Sequence, residues 1–156
     1  MDIEKIIIHK DDSITIHFNR IRAEPDGEDP IWEKYKFKSN RPAHAEFYKS
    51  LADLKPHAIE MLEINDGEIA RVSVKGATFK RTKEGIMGVV MSIERTMNHT
   101  ETPLKLETPH YIAESYSEDG DEQNILADDC VIVLKKLKAE SVKYVEGFSD
   151  QIEADL

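Results

Sequence analysis

Along residues 31–39, "IWEKYKFKS", the side chains alternate in character. Ile31, Glu33, Tyr35, Phe37 and Ser39 fall on one side, and Trp32, Lys34, Lys36 and Lys38 on the other. Such period-two patterning predicts a half-buried β-strand with one wetted face. Upstream, "IEKIIIHK" and "DDSITIHFNRI" predict two more strands joined by an Asp-Asp-Ser turn, with Ile14, Ile16 and Phe18 alternating against Thr15 and His17. "RAEPDGEDP" reads as the loop into the third strand, because Pro25-Asp26-Gly27 is turn chemistry and Pro30 stops a helix.

The spacing then changes to helical. Ser39 or Asn40 can cap, Pro42 suits a first turn, and Ala43, Phe47, Leu51, Leu54, Ala58, Ile59 and Leu62 share one stripe. Pro56 is expected to kink this helix or divide it. After a turn at "NDGE" come three extended stretches, 68–81, 85–95 and 103–113, and Gly76 marks a bulge or a close backbone approach. Leu126, Cys130, Val133, Leu134, Leu137, Ser141, Tyr144, Val145 and Phe148 then predict a final amphipathic helix of about six turns, ending near Gly147. The expected fold is α+β in the order βββα-βββα. A twisted, mainly antiparallel sheet, open or barrel-like, carries the long final helix on one face. Residues 1–148 form a single domain and 149–156 a short acidic tail, expected to be mobile.

At 156 residues the chain can bury its own core, and a composition 33% charged and 40% hydrophobic suits a globular protein. No apolar run is long enough to span a bilayer, and "MDIEKIIIHKDD" does not read as a signal peptide. The lone Cys130 permits no internal disulfide, which fits a reducing, cytoplasmic setting. The net charge of -10 argues against a nucleic-acid binder until its distribution is considered. Residues 30–56 and 70–110 each carry +3, whereas 1–29 and 57–69 carry -4 each and 111–156 carry -8. A mildly basic middle and an acidic last third describe either an ordinary soluble surface or two surfaces with different partners.

Candidate chemistry is sparse. Of the six histidines, His9 and His17 sit on neighbouring predicted strands, His44 and His57 flank the first helix, and His99 and His110 lie near loops. No His-x-x-x-His or Cys-x-x-Cys spacing is present, so no metal site is expected. Cys130 lies on the apolar stripe of the last helix and reads as a core residue. "SEDGDEQN" lacks the spacing of a calcium loop, and no nucleophile elbow, Walker loop or dinucleotide fingerprint occurs. The expectation is a non-enzymatic protein without a cofactor.

The wetted strand faces carry the remaining signal. Beside Trp32, Lys34, Lys36 and Lys38, unbroken alternation through 71–81 sets Arg71, Ser73, Lys75, Ala77, Phe79 and Arg81 on one side. Two such strands offer rings that stack bases at roughly 1–3 kcal/mol each and cations that follow phosphates, as single-stranded nucleic-acid platforms do. Solvent-facing lysines that guard a sheet against mispairing give the same pattern. A second function class also fits. In that reading an acidic protein-binding module, or a host-defence inhibitor imitating DNA charge, acts through residues 114–129, with Glu118, Asp119, Asp121 and Glu122, and the final helix. A homodimer is a further expectation, through that helix or an open strand edge.

The succession "RPAHAEFYKSLADLKPH", "VSVKG", "GVVMSIERT", "PLKLETPHY" and "YVEGF" resembles a loosely defined group of small, uncharacterised proteins of tailed bacteriophages and prophages, over nearly the whole chain. That resemblance implies a phage or prophage accessory role, in replication, recombination or defence against the host, within the bacterial cytoplasm. It carries no catalytic residues.

Overall fold

The computed structural model describes residues 1–22, 31–114, 124–147 and 152–154. Its first element pair is a hairpin, β1 (Asp2–Ile8) and β2 (Ile14–Arg22), with Ile8 opposite Ile14. The Asp11 carboxylate closes the turn by accepting from the Ser13 amide at 3.0 Å and its hydroxyl at 2.6 Å. These bonds hold the Asp11 carboxyl below its ordinary pKa. β3 (Ile31–Ser39) pairs along the whole of β2.

Helix α1 (Ala45–Met61) follows, with His44 at its N-cap. It remains one helix through Pro56. Pro56 and Ala52 are both exposed, so the Ala52 carbonyl that loses its amide partner can bond to water instead. Asn65 then caps a 3₁₀ turn, Asp66–Arg71, accepting from the Gly67 amide. β4 (Val72–Arg81) and β5 (Met87–Arg95) form the second hairpin. The expected stretch 103–113 is two short strands, β6 (Leu104–Glu107) and β7 (Tyr111–Ile112), both paired with β5. Helix α2 is Asp128–Gly147, and β8 (Ile152–Ala154) ends the described chain.

The fold is α+β, as the patterning implies. Its antiparallel sheet has the order β6-β5-β4-β1-β2-β3-β8, with β7 beside β5, and it stays open, with β6 and β8 at its two ends. The tail is therefore not wholly apart from the domain: Ile152–Ala154 pair with Phe37–Tyr35 and cover the free edge of β3. Both helices share one side of the sheet. There Ile6, Ile14, Ile16, Phe18 and Phe37 meet Phe47 and Leu54 of α1 and Leu134, Leu137 and Tyr144 of α2 in a single core. Phe37 and Tyr144 pack edge to face, and the Tyr144 hydroxyl donates to the Arg41 carbonyl, tying α2 to the β3–α1 connection. The apolar stripe of α2 is thus buried within the chain, against its own sheet and α1.

Candidate nucleic-acid interface

Neither helix packs on the other side of the sheet, so the outward residues of the central strands are the candidate surface. Register places them in rows. Lys36, His17, Lys5, Thr78 and Val90 follow one another across β3, β2, β1, β4 and β5. A second row runs Lys38, Thr15, Ile7, Gly76 and Ser92. Lys34 lies opposite Asn19, and Trp32 opposite Ile21. Trp32 is 54% exposed, and Lys34 and Lys38 are exposed beside it. The inward set of β3 ends in buried Phe37 and Ser39, so the two faces differ as alternation requires.

On β4 the expectation fails half-way. Lys75 is an extra, bulged residue between Val74 and Gly76, and the register with β5 shifts there. Before the bulge Val72 and Val74 are buried; after it the inward positions are Ala77 and Phe79. Phe79 is accordingly 8% exposed, packed in the core with the Lys138 ammonium 4.4 Å from its ring centre. It is not a stacking platform. Arg71 is also misplaced by simple alternation: it closes the 3₁₀ turn, and its carbonyl accepts from the Thr96 amide. In exchange the bulge brings Lys80 outward with Thr78, and strand pairing adds Lys5. Neither was expected. Gly76 could have signalled Lys80, but "IEKIII" has no alternation that would assign Lys5 a side.

The eight expected residues therefore divide. Trp32 and Arg81 meet at one end of the sheet, lining adjoining pockets with Asp2. Lys38 and Lys75 meet at the other, in an open groove of about 1200 Å³. That groove is mixed in charge, since Lys10 and Lys105 join them while Asp11, Glu94 and Glu107 oppose. Lys34 and Lys36 lie between the two ends, with Glu153 of β8 opposite Lys36 in the register. His9 and His17 do not converge: His9, just beyond β1, bonds the Thr15 hydroxyl at 2.7 Å, and His17 lies opposite Lys5, four residues before His9. Glu118, Asp119, Asp121 and Glu122 lie outside the described residues. No family model, curated protein or solved structure matches the chain.

Among the described residues no three of His, Cys, Asp and Glu come together as metal ligands would, and no helix is long and apolar enough to cross a membrane. Cys130 is fully buried, and burial with Asp129 nearby pushes its thiol up to about 11. That is opposite to what a nucleophile needs.

Proposed function

We propose that this protein is a non-enzymatic accessory protein of a tailed phage or prophage that binds single-stranded nucleic acid across the uncovered face of its sheet. The observation that carries this is the shared exposure of Trp32, Lys34 and Lys38 on the side away from both helices, with Lys5 on β1 and Lys80 on β4 further across the same sheet. Lysines two residues apart on one strand repeat about every 6.6 Å, so the ammonium groups form a line rather than a point. The indole lies at one end of that line, free to stack a base. Amines and an aromatic ring grip the backbone and bases of an unpaired strand with little regard to sequence.

Titration with an unstructured oligonucleotide at low ionic strength tests the proposal. Trp32 is the chain's one tryptophan, so its emission reports directly on the face. Quenching is expected, and three phosphates held by Lys34, Lys36 and Lys38 give a slope of log K against log salt near about -2, at roughly -0.7 per phosphate. Replacing the three lysines by glutamate should abolish quenching while leaving the circular dichroism unchanged. Absence of quenching by the folded, unaltered protein at low salt would refute it.

A further inference from the structure

β1 and β4 are neighbours, yet their ladder is short. Pairing runs only through Lys5–Thr78, Ile6–Ala77 and Ile7–Gly76. Beyond Lys5 the two strands part, and the irregularity between Ile3 and Lys5 that sets β1 off its register with β2 lies at this point. Each strand stays held by its other neighbour: Asp2 and Ile3 by Asn19 and Phe18, and Phe79 to Arg81 by Val89 to Met87. The opening between them is thus framed by paired backbone. It is a pocket of about 430 Å³, within the size range of small-ligand sites. Ile3, Phe79 and Met87 line it on the core side, and Trp32 stands at its margin.

The charges in this pocket are unevenly satisfied. Asp2 lies 3.8 Å from Arg81, and Glu4 accepts from the Asn19 amide at 2.6 Å. Lys138, reaching in from α2, has no carboxylate within 4 Å among the described residues; its neighbour is the Phe79 ring. Burial lowers its pKa, Asp2 partly restores it, and Arg81 lowers it again. A half-buried cation with no carboxylate in contact among the described residues is stabilised by an anion entering beside it. Lys80 adds another amine at the same walls.

We infer that the gap between β1 and β4 receives the terminal nucleotide of a strand, its phosphomonoester against Lys138 and Arg81 and its base on the Trp32 indole. This rests on the nucleic-acid reading above and extends it from the face to the strand's end. Charge selects a terminus over an interior nucleotide: a terminal phosphate carries close to two negative charges at neutral pH, against one for a diester, and so gains more from two cations.

Oligonucleotides bearing a phosphate at the 5′ end, at the 3′ end or at neither, together with a free mononucleotide, decide the matter. One phosphorylated form should bind the full chain about tenfold more tightly than the unphosphorylated strand, the scale of a charge-assisted contact. Lys138→Met, which keeps the stem and removes the charge, should erase that ratio and leave unphosphorylated binding within about twofold, as expected for an interaction confined to the phosphate. Equal affinity for all three strands overturns the inference, as does a Lys138→Met variant that weakens every strand alike. If no strand binds but the mononucleotide quenches Trp32 in a Lys138-dependent manner, the pocket stands and the extended face falls. If the mononucleotide fails as well, both fall.

Discussion

Gly76 admits no side chain, because a Cβ there would meet the Ile6 carbonyl oxygen across the β1–β4 ladder. Gly76→Ala should therefore destabilise by about 2–3 kcal/mol, the usual scale of overpacking, as a lowered urea midpoint will register. Phe79 and Trp32 make an opposed pair. Phe79→Ala removes a core ring and should cost about 3 kcal/mol in the same measurement. Trp32→Ala removes an exposed indole and should leave stability within about 0.5 kcal/mol while weakening oligonucleotide binding, followed by the anisotropy of a labelled strand, by about 1–3 kcal/mol. Cys130 gives a pH dependence. Its thiol is raised from 9.0 to about 11, so its folded form favours the protonated group. The stabilisation is complete below pH 9 and is lost as the pH climbs toward 11. Alkylation at pH 8 should leave the native thiol untouched and label it in urea.

At the scale of elements, local pattern served well wherever the chain kept one period. The first hairpin, the two-faced β3 and the α2 stripe from Cys130 to Val145 all lie as their spacing implies. The Phe79 assignment failed because one bulged residue, Lys75, reverses every side chain beyond it, and alternation carried past Gly76 points the wrong way. Arg71 was lost to a 3₁₀ turn capped by Asn65. β8 was hidden because "IEA" is too short for periodicity to register, and only the free edge of β3 gives it a partner. That strand sets Glu153 opposite Lys36. Truncation after Gly147 removes the acidic Asp150, Glu153 and Asp155 and should tighten oligonucleotide binding several-fold at low salt, an effect of about 1 kcal/mol that fades at high salt. Fluorescence titration of the truncated and full chains will measure it.

Across the whole molecule, pairing between distant segments decides the architecture, and no window of sequence contains it. The proposed terminal pocket is of this kind. Asp2 and Arg81 face each other only because β4 pairs with β1, and Lys138 joins them only because α2 crosses beneath. The same pairing has a consequence for the order of assembly. β1 lies in the interior of the sheet, yet one of its two neighbours is β4, whose residues follow some seventy positions later. During synthesis the amino-terminal hairpin must wait, one flank unsatisfied, until residues 72–81 have left the ribosome. Maturation should hence be slow for a chain of this length, in the millisecond-to-second range, and nascent copies stalled before β4 should be the ones that aggregate or engage chaperones.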